Sequence, residues 1–149
     1  MNSTQQELIK KYNEFIHSLE LVDIYVAELT FKRLKDISKN NQVPVKVTVK
    51  PTKNEYKKVE TDLYEITHRV LFKLEYMKGE RENLFFELKV TFKLFYRSKH
   101  ELTNDIFKIF VERNIPINVF PFLREIICNS MYRAGLPPIL IPLKTTDLD

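Results

Sequence analysis

Two consecutive stretches of this chain alternate between apolar and polar residues, and they decide the class of fold. From Leu63 to Met77 one face collects Tyr64, Ile66, His68, Val70, Phe72, Leu74 and Tyr76. A polar link follows, Lys78 to Asn83 with Gly79 inside it. The return run then sets Leu84, Phe86, Leu88, Val90, Phe92, Leu94 and Tyr96 on one side and Glu87, Lys89, Thr91 and Lys93 on the other. Successive side chains of a strand point to opposite faces, so each run is a strand with one buried and one wet face. Two earlier runs share the pattern. Between Leu21 and Lys35, Tyr25, Ala27, Leu29 and Phe31 alternate with Glu28, Thr30 and Lys32. Val43, Val45, Val47 and Val49 then alternate with Pro44, Lys46, Thr48 and Lys50, a short strand. Four such runs joined by short polar links read as an antiparallel meander.

The flanks are helical. Leu8, Ile9, Tyr12, Phe15, Ile16 and Leu19 recur at three- and four-residue spacing, and Ser3 with Gln6 fits a capping box. That stripe packs on its own domain or serves a subunit contact. Glu101 to Arg113 is a short helix or a long crossover loop. Asn118 suits an N-cap, with Pro121 in the first turn, where its missing N–H does no harm. The helix then runs to about Ala134, with Gly135 as its C′ residue. Phe120, Leu123, Ile127 and Met131 form its stripe, widened by Val119, Phe122 and Ile126. Pro137, Pro138 and Pro142 keep the tail extended. The expected architecture is therefore α+β, a four-stranded antiparallel sheet packed with helices in a single domain. Its parts are an N-terminal helix (1–20), sheet (21–97), crossover connection (98–118), helix (119–134) and extended tail (135–149), with no internal repeat.

Several function classes fall away. A chain of 149 residues buries a real core without staples. Cys128 is the only cysteine, which excludes a disulfide framework or a cysteine-built zinc site. Gly79 and Gly135 are the only glycines, too few for a phosphate loop or dinucleotide fingerprint, so no cofactor is implied. His17, His68 and His100 lie far apart. His68, on an apolar strand face with Glu65 and Glu75 pointing the other way, reads as a core histidine with a hydrogen-bond partner. Cys128 reads as a packed thiol. Asp147 and Asp149 read as a frayed end. Nothing assembles a catalytic constellation, and no enzyme is expected. No apolar run reaches the roughly 18 residues of a membrane span. The first residues carry no basic-then-apolar signal, so a cytoplasmic protein is expected.

Charge and aromatics carry the remaining information. The net charge is +4, and Lys46, Lys50, Lys53, Lys57 and Lys58 against Glu55 account for all of it. This segment reads as a solvated loop, with a basic contact to nucleic acid or an acidic partner as the other option. Only Tyr56 interleaves with the lysines, which is poor support for a stacking platform. The chain carries eleven Phe and seven Tyr. On the last strand Phe86 and Phe92 take one face, Phe85 and Phe95 the other. That is more apolar area than a four-stranded sheet hides under one helix. The excess belongs in a subunit interface or an apolar groove.

The last helix resembles a known signature. Pro116-Ile117-Asn118-Val119-Phe120-Pro121-Phe122-Leu123-Arg124-Glu125, then Arg133-Ala134-Gly135-Leu136-Pro137-Pro138, is similar to the helix motif of the SecB export-chaperone family. Ile24-Tyr25-Val26-Ala27-Glu28-Leu29-Thr30-Phe31 resembles that family's first strand, and Asp62-Leu63-Tyr64-Glu65-Ile66 the opening of its third. The resemblance implies a sheet backed by helices, a dimer of dimers, and aromatic-lined grooves that hold non-native polypeptide without nucleotide. By position it implies Tyr25, Leu29 and Phe31 on the first strand, and Phe120, Pro121 and Phe122 at the helix entrance, as groove or interface residues. Departures also stand out. Lys46, Lys50, Lys89 and Lys93 lie on a sheet that is acidic in export chaperones. The chain ends 14 residues after Gly135, without the family's second helix and tail. Thr91-Phe92 stands where the family has a glycine pair, and a helix precedes the first strand. These argue against handover to the motor ATPase SecA and toward a relative that protects a dedicated client, such as an antitoxin.

The expected function is thus an ATP-independent holdase of SecB-like type, either general or specific to an antitoxin. The rivals are a basic binding module for RNA or an acidic protein, and an assembly protein whose aromatic surface is consumed by subunit contacts.

Overall fold

The computed structural model describes residues 2–35, 44–78 and 81–137, with backbone alone at Met77, Lys78, Arg81 and Glu82. The expectations for Val43, Gly79 and the tail from Pro138 to Asp149 lie outside these residues. Seven elements follow in order: α1 (Ser3–His17), β1 (Glu20–Arg33), β2 (Val45–Glu60), β3 (Leu63–Lys78), β4 (Arg81–Arg97), α2 (Asn104–Arg113) and α3 (Ile115–Arg133). The four strands form one antiparallel sheet in the order β1-β4-β3-β2, and the fold is α+β as expected. The order corrects the simple meander. β1 pairs with β4 rather than with its sequence neighbour β2. The two most apolar runs, β3 and β4, thereby take the centre, and the wetter β1 and β2 become the edges.

All three helices lie on one side of the sheet, called here the helix face; the other is the open face. The even residues of β3 and β4 point under the helices, and Ile66, Phe72, Leu74, Phe86, Leu88, Val90, Phe92 and Leu94 are fully buried. Phe15 of α1 meets Tyr64 and Phe110 edge-on at ring separations of 6.5 and 5.7 Å, and Tyr96 meets Phe110 at 5.0 Å. Edge-to-face rings put the positive rim of one on the negative face of another, so α1, α2 and the sheet are locked through one aromatic knot. The α1 stripe accordingly packs on its own domain.

Local departures from expectation have local causes. The cap of α1 is Asn2, whose Oδ1 accepts from the Gln5 N–H at 2.8 Å, and not Ser3, which lies inside the helix. Thr103 caps α2 by accepting from the Ile106 N–H, which settles 101–113 in favour of a helix. α3 begins at Ile115, earlier than expected. Asn114 closes α2 and opens α3 without a side-chain cap, and Pro116, with its fixed φ, occupies the first turn. Asn118 is therefore interior to α3 and not its cap. Pro121 also lies inside the helix. It sits on the exposed side, where the carbonyl that its missing N–H leaves unbonded is open to solvent.

At the far end of α3 the Gly135 N–H bonds the Tyr132 carbonyl and the Leu136 N–H bonds the Met131 carbonyl, at 3.0 and 2.9 Å. Gly135 has φ 72°, as the C′ residue of this Schellman motif requires.

Three further readings are corrected. A bulge opposite Glu75, where the pairing jumps from Phe86 to Leu84, turns Phe85 over to the core, and it stacks on Tyr76 at 4.3 Å. The segment Lys46 to Lys58 is not a loop. It lies within β2, whose 16 residues run well beyond the short Val43–Val49 strand expected. Lys46, Lys50, Lys53 and Lys57 are tolerated because an edge strand keeps its open face in water, while Lys58 lies over the Tyr64 ring on the other face, and together they guard that edge against pairing with other chains. Cys128 is exposed, not packed.

Candidate binding surface

The helical layer stops short of β1. On the helix face Leu21, Ile24, Val26, Leu29 and Phe31 of β1 stand beside Tyr96, Leu94, Phe92, Val90 and Leu88 of β4. The β4 members are buried, whereas Val26 is 41% and Leu29 37% exposed. Phe31 is half-buried, its ring 6.2 Å from Phe86. An apolar row thus runs along the edge of an otherwise covered face.

α3 lies alongside this row. Near its start the Asn118 Nδ2 donates to the Tyr96 hydroxyl at 2.8 Å, and Tyr96 pairs with Leu21. At its end the Arg33 Nη1, on the last residue of β1, donates to the Ala134 carbonyl at 2.8 Å. The cation at the negative end of the helix dipole is favourable as well. Phe120 is half-buried, Pro121 exposed and Phe122 43% exposed. At about 100° per residue, Phe120 and Phe122 project from opposite flanks of α3.

The six residues singled out from the sequence therefore do not form one cluster. Leu29 and Phe31 share the apolar row. Tyr25 does not, because a bulge at Ala27 shifts the register between Val26 and Glu28. Tyr25 stands opposite Lys93 on the open face and stacks on Phe95 at 6.0 Å with rings 23° apart. Exposed apolar side chains outside the six are Val26 and Leu21 on β1, Ile117 and Tyr132 on α3, the last 83% exposed, and Val45 and Val47 on β2 at the opposite edge of the sheet. The strand residues were visible as one face of a run. What the run does not encode is how far the helices reach.

Among the described residues the two groups with large pKa shifts, His68 and Tyr96, are both buried in the core. His68 is buried and its Nδ1–H donates to Asn54 Oδ1 at 2.5 Å, a core histidine with a partner on β2. Burial lowers its pKa to about 4, which keeps the ring neutral. Burial pushes the Tyr96 hydroxyl up to about 12, against a smaller opposing effect of the Asn118 hydrogen bond. Among the described residues no group of His, Cys, Asp and Glu is placed to hold a metal ion.

Residues 13–144 match the family model described as preprotein translocase subunit SecB. The chain belongs to the SecB family. The match spans the sheet, α2 and α3, and begins within α1. Among solved structures, the SecB-like chaperone Rv1957 of Mycobacterium tuberculosis, in complex with a ChAD peptide from the Rv1956 HigA1 antitoxin, shares this fold. It superposes with a TM-score of 0.73 at 9% identity, covering 91% of this chain and 97% of that one. A protein of unknown function from Streptococcus agalactiae aligns over 83% of this chain and 96% of that one, at 7% identity and a TM-score of 0.40. No curated protein matches the chain by sequence. The SecB family is a family of chaperones and not of enzymes. No helix among the described residues is long and apolar enough to cross a membrane.

Proposed function

We propose that this SecB family member is an ATP-independent holdase of the cytoplasm, working as a dimer of dimers, that binds non-native polypeptide on the helix side of its sheet edge. The observation that carries the reading is the exposure of Val26 and Leu29 beside fully buried Val90 and Phe92. Water-exposed apolar side chains in a continuous row cost free energy unless something covers them. An extended chain laid along β1 meets them at every second residue, with Phe31 and Phe122 as aromatic contacts. Such contacts are tolerant of sequence, as a holdase needs.

A second reading narrows the client. The Mycobacterium tuberculosis chaperone of the same fold is solved with an antitoxin peptide. A dedicated client of antitoxin type suits a chain whose sheet is too basic for the SecA handover. Suppression of aggregation of a denatured test protein, at stoichiometric amounts and without nucleotide, tests the holdase reading. Failure to suppress, with no bound peptide detectable, overturns it in favour of subunit contacts that consume the surface. Restriction of the binding to one antitoxin segment selects the narrower reading.

A further inference from the structure

The open face of the sheet is divided by charge. Three adjoining cross-strand rows, read from β1 to β2, are Lys32-Glu87-Lys73-Thr48, Thr30-Lys89-Leu71-Lys50 and Glu28-Thr91-Arg69-Lys53. Six cations meet two carboxylates there. The next three rows reverse the balance, with Lys93, Lys57 and Arg97 against Glu55, Asp23, Glu65, Glu20 and Glu60.

The two halves also differ in how their cations are employed. In the acidic half each cation is paired: Lys57 and Lys93 with Glu65 at 3.0 and 3.7 Å, and Arg97 with Asp62 at 2.8 Å. In the basic half Lys89 pairs with Glu87 at 3.3 Å and Lys53 with Glu55 at 3.6 Å, but among the described residues no carboxylate lies within ion-pair range of Lys32, Lys50 or Lys73. Where the halves meet, the stacked pair Tyr25 and Phe95 offers an aromatic surface, Tyr25 being 46% exposed.

We infer that the basic half of the open face docks an acidic polypeptide segment carrying an apolar or aromatic side chain, which settles on Tyr25 and Phe95. Rows about 7 Å apart and strands about 4.8 Å apart make the basic field about 14 Å square. That length takes four or five residues of extended chain at about 3.3 Å each. A carboxylate over Lys50 and Lys73, beside Lys89, gives the first two an ion-pair partner that they lack among the described residues, and complementary charge supplies on-rate and orientation. A protein segment fits better than a nucleic acid. A phosphate backbone needs a continuous track of cations, and here the track ends within three rows against five carboxylates. The site is on the opposite side of the sheet from the client row, so it does not depend on the holdase reading.

The test is fluorescence anisotropy with three labelled probes: a short Glu/Asp peptide with one central Phe, its Lys counterpart, and a single-stranded RNA oligonucleotide. The acidic peptide binds best, and raising salt from about 0.05 to 0.3 M weakens it about tenfold. The triple variant K50E/K73E/K89E loses at least about tenfold in affinity and turns toward the Lys peptide, K50Q/K73Q/K89Q lies between, and Tyr25→Ala removes the advantage of the Phe. All three variants keep the parent melting temperature and the parent behaviour in the aggregation assay. Tighter binding of RNA than of the acidic peptide, or acidic-peptide affinity unmoved by charge reversal, overturns the inference.

Discussion

The Asn118 side-chain amide donates to the Tyr96 hydroxyl at 2.8 Å, joining the second turn of the last helix to the last strand at a point with no access to water on the tyrosine side. A buried hydroxyl deprived of its partner costs the full desolvation of that group. Asn118→Ala should therefore destabilise by about 1–3 kcal/mol, and Tyr96→Phe by less. A double-mutant cycle in urea checks this, since both changes together should cost less than their sum.

The same tyrosine predicts alkaline behaviour. Its pKa is near 12 when folded and near 10 when unfolded, so between these values the unfolded state releases the proton first. Stability is full below about pH 10 and falls as pH rises toward 12. Absorbance titration at the tyrosinate band should show Tyr96 ionising last, and the Tyr96→Phe variant should lose the corresponding part of the slope.

His68 predicts the opposite flank of the pH profile. Its folded pKa of about 4 lies below the ordinary 6.5, so the unfolded state binds the extra proton as pH falls. Stability from this group is complete above about pH 6.5 and drains away toward pH 4, by about 3 kcal/mol in all. Urea midpoints measured between pH 7 and 4.5 should fall for the parent and flatten for His68→Gln.

Gly135 should not tolerate a side chain. Its φ of 72° disfavours L residues, and an added Cβ would come within 3.2 Å of the Arg33 Nη1 that holds the Ala134 carbonyl. The arginine tip can shift, so the backbone sets most of the cost. Gly135→Ala should lower stability by about 1 kcal/mol, read from thermal or urea unfolding.

The division of the first strand between faces gives a functional prediction. Leu29→Asp places a charge in the apolar row and should weaken aggregation suppression several-fold. Tyr25→Ser, four residues away on the other face, should leave it unchanged. Light scattering of the particles alongside the activity separates lost binding from lost assembly. Equal effects of the two substitutions would contradict the assignment of the client to the helix face.

Much of this molecule was legible in its residue pattern, and what was missed has physical causes. The even positions of β3 from Tyr64 to Leu74 and of β4 from Phe86 to Tyr96 announced their buried face, because strand periodicity is rigid where the ladder is uninterrupted. Tyr25 and Phe85 were misplaced because a bulge inserts one unpaired residue and resets the alternation, and neither Ala27 nor the Glu75 region carries a glycine or proline to mark it. The lysine segment passed for a loop because an edge strand with one wet face needs few apolar residues on the other. The position of β1 beside β4 depends on which neighbours bury most area together, a comparison that no single run contains. Of the six candidate residues, Leu29 and Phe31 share one surface, and Tyr25 lies behind it.

The lysines of β2 bear on a hazard particular to this trade. A protein that gathers sticky, half-made chains works at high local concentrations of the material from which fibrils grow, and an inviting backbone margin would recruit them into endless stacks. Ammonium groups spaced along that margin, with Pro51 removing a donor midway, make it a poor template. Captured chains can then be released one at a time, and the captor does not become the seed of what it prevents.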